Sequence, residues 1–349
     1  MEVSEFNEWL AQNDLLGYWS RNFGGESRGE GGQRRRGPRA SFRPFLWKWD
    51  TMAKATEMAG ELIGAEDAFR RDVAYKHPDI KDARTGGGIC HTFSIGVQYV
   101  KPGELPPAHR HLFGAMRFVL QGSEAGTVVN GEDFPMEPGD LITTPAQTWH
   151  DHYNRSGGPI LWLDIVDASI SGFFQVQHSE LFPKPVQDLL RPVGMAGAEF
   201  GGVRPIWAKG GSNGQPPAFR YPWADTRRAL ELLAEEEGDP YDGITVRFPN
   251  PVTGGHTLPT LAAEMGMLRP GETTRAHRHT ATVAYHAFRG RGRTIIDDEV
   301  FEWSQGDTFI VPLWCAHHHE NPHGESAYLF SISDRGALDA LGLYEEEPA

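Results

Sequence analysis

The chain changes its hydrophobic rhythm near residue 90. Before that point apolar residues fall three or four apart, at Phe6, Leu10, Leu15 and Leu16 over 5–20 and at Met52, Ala55, Met58 and Leu62 over 46–76. That spacing puts them on one face of a helix and predicts two helical stretches. Between them, 24–44 is rich in Gly, Ser and Arg. It has too little apolar surface to pack and reads as a mobile loop. From about residue 90 the period shortens to two, with strand-like runs at 92–100, 116–120, 126–129, 141–143 and 160–165 punctuated by Gly and Pro. Short strands so spaced make a sandwich or a barrel. Residues 167–255 mix Pro/Gly-rich runs with one helical segment over 225–237, carrying Leu230, Leu232 and Leu233. Alternation resumes at 261 and lasts to 333, repeating turns at Arg269-Pro270-Gly271 and Gly306-Asp307.

The expected fold is all-β with helical additions, two β-barrels from an internal duplication. Residues 1–88 form a helical N-terminal extension holding the 24–44 loop, and 89–167 a first barrel. Residues 168–257 form a structured connection with a helix, and 258–349 a second barrel and tail.

The duplication shows best in the histidines. His109-Arg110-His111 with His150 recurs as His277-Arg278-His279 with His317, the copies standing 168 positions apart (277 against 109). Gly103 and Gly271 precede them by six positions, Gly139 precedes His150 by eleven as Gly306 precedes His317, and Asn154 and Asn321 follow by four. Chance does not readily produce that register. In a strand, residues i and i+2 share a face, so His109 and His111 project together, as do His150 and His152. Three imidazoles then converge on a metal ion.

Composition narrows the partners. With 47 acidic and 33 basic residues the net charge is −14, which repels a phosphate backbone and argues against nucleic acid. Arg34-Arg35-Arg36 is a local exception inside the loop. Only Cys90 and Cys315 are present, too few for a disulfide framework, and no apolar run suits a signal peptide or a membrane span. The expectation is a soluble cytoplasmic protein without a membrane partner.

Residues Gly103 to Gly122 and Pro138 to Asn154 resemble the two motifs of the cupin superfamily, with one departure: Ala115 stands where the family has a glutamate ligand, and Val283 does so in the second copy. Three neutral ligands leave the full +2 charge on an iron-like ion, which favours a dianionic chelating substrate, although the ligand set alone leaves Zn, Mn, Ni and Cu open. Arg117, two residues beyond Ala115 on the same strand face, points a guanidinium into the cavity. A buried arginine needs an anion, either a bound carboxylate or an internal acid such as Asp164.

The stretches Ala115-Met116-Arg117-Phe118-Val119, Thr148-Trp149-His150-Asp151-His152, Leu46-Trp47-Lys48-Trp49-Asp50, Leu161-Trp162-Leu163-Asp164 and Arg220-Tyr221-Pro222-Trp223 together resemble the gentisate/salicylate 1,2-dioxygenase family of bicupins over nearly the whole chain. The resemblance implies one Fe(2+) per chain on His109, His111 and His150 in the first barrel. It implies substrate contacts from Arg117, Gln98 and one arginine of the Arg70-Arg71 pair, with Arg71 taken. His152 is expected to move a proton and Asp164 to orient one of these groups. The partners implied are a small aromatic hydroxy acid and O2, and a homotetramer or other homo-oligomer. His277, His279 and His317 remain as a possible second metal site, with Tyr285 at the position of Arg117 and Gly266 at that of Gln98. The activity implied is opening of gentisate, salicylate or a 5-substituted salicylate between C1 and C2. The alternatives are a 1-hydroxy-2-naphthoate dioxygenase, or a non-catalytic bicupin binding a metal or ligand.

Overall fold

The computed structural model describes residues 2–17, 19, 37–64, 70–81, 88–207 and 216–349. Most of the Gly/Arg-rich loop, including Arg34-Arg35-Arg36, lies outside them. Met1–Ser41 forms one unit and Phe42–Ala349 another. In the first, the helix Val3–Gln12 opens with Glu5 Oε2 accepting the Glu2 N–H at 3.0 Å, and Trp19 stacks on Phe6. No described helix is long and apolar enough to cross a membrane.

The second unit holds two halves of one design, each a six-stranded sheet facing a five-stranded one. In the first half the larger sheet runs Phe219–Tyr221, Leu141–Thr144, Ala115–Gln121, Ile160–Val166, Ser94–Val100, Asp72–Ala74. The smaller runs Ser179–Leu181, His109–His111, His150–Asn154, Ala125–Val129, Glu132–Met136. The second half repeats this with Phe45–Trp47, Thr308–Val311, Val283–Arg289, Ala327–Ser333, Ala262–Leu268, Ile244–Arg247 opposite Glu299–Ser304, Arg291–Ile296, His317–Glu320, His277–His279, Glu346–Pro348. All neighbours are antiparallel. Each barrel is thus two apposed sheets, not a closed ring of hydrogen bonds.

Two stretches inside the expected helical extension are strands instead. Phe45–Trp47 and Asp72–Ala74 flank the helix Trp49–Leu62, and the connection likewise supplies strands to both barrels. The first strands of the repeats are exchanged. Phe45–Trp47 pairs with Thr308–Val311 of the second barrel, and Phe219–Tyr221 pairs with Leu141–Thr144 of the first. The anchors match as well. Asp307 accepts the Trp49 N–H at 2.9 Å and Lys48 Nζ at 2.7 Å, while Asp140 accepts the Trp223 N–H at 2.8 Å and Arg220 Nη2 at 2.7 Å. Each tryptophan lies over a glycine at φ 92°, Trp49 over Gly306 and Trp223 over Gly139, where a Cβ would collide with the indole.

The outer faces of the large sheets share one core. Phe118 stacks on Phe330 at 3.9 Å and meets Phe288 edge-on at 5.1 Å. Because both faces of Ala115–Val119 are covered, all five residues are buried, and alternation fades from the sequence there. Odd-numbered residues of the strand face the barrel interior, so Arg117 points away from this core.

Candidate metal centre and its surroundings

His109 lies directly opposite His150 in the antiparallel ladder, and His111 projects beside His109 by the two-residue pleat. One ligand atom from each of the three falls within 4.8 Å of the others. Their Nδ1 hydrogens are committed to backbone carbonyls: His109 to Pro107 at 2.8 Å, His111 to Phe113 at 2.8 Å and His150 to Thr148 at 2.9 Å. A neutral imidazole has one N–H, so all three Nε2 lone pairs turn inward. Burial, aided by Arg70, holds His109 and His111 down to about 3, and burial holds His150 well below its usual range. All three are neutral donors at pH 7.

The lone pairs already draw in a cation. The Arg70 guanidinium donates to His109 Nε2 and, at 3.1 Å, to His150 Nε2, and its Nη1 pairs with Asp164 Oδ2 at 3.1 Å. A metal ion on these three nitrogens would have to displace the guanidinium, and the donor set fits a divalent ion with open positions. Ala115, fully buried, leaves no carboxylate among the ligands.

The interior wall carries polar groups without partners. Register places Gln98 opposite Trp162 and Asp164 opposite Arg117, so all four share the inward face of the large sheet. Arg117 is fully buried. Its Nη1 donates to Thr144 Oγ1, but Nε and Nη2 find no hydrogen-bond partner among the described residues, and Asp164 Oδ1 is 3.7 Å from Nε. Burial lowers Arg117 to about 10 despite Asp164. Both amide atoms of Gln98, Trp162 Nε1 and His152 Nε2 are likewise unpartnered. Thr127 donates its one hydroxyl hydrogen to Asp151 O at 3.2 Å, so it accepts from His152 Nδ1–H and leaves a lone pair on His152 Nε2. Such a set of orphaned groups marks a ligand position.

Arg71, the arginine expected at the substrate, is on the other face. It pairs with Glu104 and lies over the Tyr99 ring at 5.8 Å. Arg70 reaches the histidines in its place. The signal was Val73 and Tyr75, whose packing against the core turns the odd positions away from the barrel interior. Trp162, Thr127 and Thr144 are not among the site residues expected from the sequence, being ordinary strand residues until register sets them beside the site. A groove of about 720 Å³ between Leu112, Glu132, Phe134, Arg191 and Phe200 touches none of the three histidines, so the centre is assigned by its donors and not by cavity size.

The second barrel repeats the ligands but not the wall. His277, His279 and His317 converge within 4.8 Å, with His277 opposite His317. Tyr285 takes the register of Arg117 and Ser331 that of Asp164, while Gly266 and Glu264 line the adjoining strand. The cavity beside them, bounded also by Asp242 and His319, has about 20 Å³ of space, enough for one water.

Two such halves define a bicupin, and the cupin domain model matches residues 96–166 and 265–333. The chain is 37% identical over 319 residues to a 5-aminosalicylate 1,2-dioxygenase of Comamonas sp, covering 89% of this chain and 83% of that protein. It is 35% identical over 319 residues to a 1-hydroxy-2-naphthoate 1,2-dioxygenase of Nocardioides sp. (strain KP7), covering 89% and 80%. The crystal structure of salicylate 1,2-dioxygenase from Pseudoaminobacter salicylatoxidans with gentisate superimposes with a TM-score of 0.86 at 28% identity, over 99% of this chain and 93% of that one. The chain belongs to the gentisate/salicylate 1,2-dioxygenase family.

Proposed function

We propose that the first barrel holds one Fe(II) on His109, His111 and His150 and opens a 2-hydroxybenzoate between C1 and C2, adding both atoms of O2 to give a ring-opened oxo-dicarboxylic acid. The observation that carries this reading is the pair of unpartnered Arg117 nitrogens, buried beside three inward-facing Nε2 lone pairs. Fe(II) there supplies a Lewis acid for the hydroxyl and carboxylate oxygens and a redox path between ring and O2.

The residues around it have separable tasks. Arg117 receives the substrate carboxylate on Nε and Nη2, a planar fork already desolvated and therefore strong toward an anion. Asp164 fixes Arg70 and faces Arg117, so one carboxylate orients two cations. Arg70, withdrawn from the histidines when metal binds, adds positive charge at the pocket. Gln98 offers an amide to a substrate oxygen. His152 Nε2 accepts the phenolic proton, its Nδ1–H held by Thr127. Tyr285 and Ser331, in place of Arg117 and Asp164, leave the second barrel without a counter-charge for the substrate carboxylate. Exposed Phe173, Phe174, Leu189, Leu190 and Val203 support a homo-oligomer, a tetramer being what the family resemblance implies.

The test is a panel of gentisate, salicylate, 5-aminosalicylate and 1-hydroxy-2-naphthoate given to iron-loaded protein, with O2 uptake and absorbance of the ring-opened product as readouts. Turnover of at least one hydroxybenzoate is expected. Iron-loaded protein that consumes no O2 with any of them overturns the proposal. Preference for the naphthoate is the second reading, favoured by the Nocardioides relative.

A further inference from the structure

The Nε2 atoms of His277 and His317 stand 3.1 Å apart. His317 Nδ1 donates to Cys315 O at 3.1 Å, His279 Nδ1 to Ala281 O at 2.9 Å, and His277 Nδ1 faces Glu346 Oε1 at 2.8 Å. With each ring's hydrogen placed at Nδ1, three lone pairs face one another in a buried space. Lone pairs that close repel unless a cation joins them. In the first barrel Arg70 plays that part; here no described Lys or Arg hydrogen-bonds the three rings.

The surroundings differ from the first site in one informative way. Glu346 belongs to the strand Glu346–Pro348, laid on His277–His279 with Glu347 paired to Arg278 Nε at 2.7 Å. The equivalent strand in the first barrel, Ser179–Leu181, brings Glu180 to Arg110 at 2.8 Å but no acid to either histidine. There every ligand Nδ1 meets a backbone carbonyl. A carboxylate on the far nitrogen of a metal-binding histidine fixes the ring and raises its basicity. Tyr344 donates to the other Glu346 oxygen at 2.7 Å, and Tyr241 stacks on the His277 ring at 4.9 Å. These contacts build a support around a ligand set that the reaction does not use.

We propose that His277, His279 and His317 hold a second divalent cation of the nitrogen-preferring kind, Zn(II) or Fe(II), which fastens the strand Glu346–Pro348 to the second barrel through Glu346. The site is structural. Tyr285 and Ser331 stand at the register positions that Arg117 and Asp164 hold in the first barrel, so a hydroxybenzoate carboxylate finds no counter-charge on that wall. A closed site of this kind stabilises the fold by the affinity of its ion.

Metal analysis in a first-site variant tests this without reference to ring cleavage, so its failure is distinct from failure of the function proposed for the first barrel. His109→Ala should retain about one ion per chain after dialysis, and His109→Ala with His317→Ala about none. Glu346→Gln in the His109→Ala background should release its ion to a chelator with roughly 10–100-fold weaker retention. Stripping that ion from His109→Ala should speed amide exchange at Ala349 and Thr280, whose N–H groups bond Ala276 O at 3.1 Å and Glu345 O at 2.9 Å. That comparison also serves if the double variant does not fold. A folded His109→Ala protein that holds no metal overturns the proposal, since a proton shared by His277 and His317 would then account for their separation. Unchanged retention in Glu346→Gln overturns the part assigned to the final strand.

Discussion

Arg117 Nε and Asp164 Oδ1 stand 3.7 Å apart at directly opposed positions on neighbouring strands. That is close enough for charge attraction and too long for a hydrogen bond, so the guanidinium keeps donors free for a bound anion. Arg117→Lys preserves the charge and loses the fork. Its kcat/KM should fall by roughly 1–3 kcal/mol equivalent with iron content unchanged, checked by steady-state kinetics and metal analysis. Wild-type kinetics would make Arg117 a structural partner of Asp164.

Arg70 and Arg71 differ by one position and should differ in consequence. Arg70→Gln removes the cation that Asp164 Oδ2 holds at 3.1 Å beside the histidines, so kcat/KM should drop more than about tenfold with little change in melting temperature. Arg71→Gln breaks the pair with Glu104 and should lower stability by roughly 1–3 kcal/mol while sparing kinetics. The reverse pattern would restore Arg71 as the substrate residue.

The two histidine clusters are legible in the sequence because histidine spacing and flanking glycines survive duplication, and the two-residue pleat alone brings His109 and His111 together. Which arginine enters the site is not, since the face of a three-residue strand depends on what its alternate residues pack against. The exchange of Phe45–Trp47 and Phe219–Tyr221 is hidden for the same reason: three residues carry one and a half periods, and pairing across about 260 positions in one case and about 80 in the other leaves no local mark. Burial on both faces also erases alternation from Ala115–Val119, where only the charge of Arg117 betrays the inward side.

His152 should act after substrate binding. Its Nε2 has no partner among the described residues, while Nδ1 is tied to Thr127. His152→Ala is expected to retain iron and lose about 10²-fold in kcat, seen as slower single-turnover decay of the substrate complex. Unchanged turnover per bound iron would remove it from the reaction.

Acid should destabilise the metal-free protein before ordinary carboxylates titrate. Burial depresses His109, His111 and His319 to about 3 and His279 and His286 to about 4, against 6.5 unfolded. Above pH 6.5 both states are neutral at these sites and nothing changes. As pH falls below 6.5 the unfolded chain takes up protons that the folded chain refuses, so stability is lost at up to ~1.4 kcal/mol per site and pH unit. Asp334, raised to about 6 by burial, runs the other way and blunts the loss. The melting temperature of chelated protein should therefore fall from pH 7 to pH 5; a rise would mean the buried acids dominate.

Asp307 and Asp140 hold the exchanged strands, and each should behave as a stability residue of the barrel that receives the strand. Asp307 accepts Lys48 Nζ at 2.7 Å, the Trp49 N–H at 2.9 Å and the Ser304 N–H at 3.0 Å; Asp140 accepts the Trp223 N–H at 2.8 Å and the Glu137 N–H at 3.0 Å. Replacement by Ala strands buried N–H groups and should cost about 2–4 kcal/mol in either case, read as a shift in denaturant midpoint. The two sites have no partner in common, so the double variant should show the sum of the single effects within about 0.5 kcal/mol if the exchanges act independently. A loss well short of the sum would mean that releasing one strand already loosens the other, as the shared core of Phe118, Phe330 and Phe288 permits. Lys48→Ala separates the charge from the backbone contact: it leaves the Trp49 N–H on Asp307 and should cost no more than about 1 kcal/mol, because Lys48 is more than half exposed.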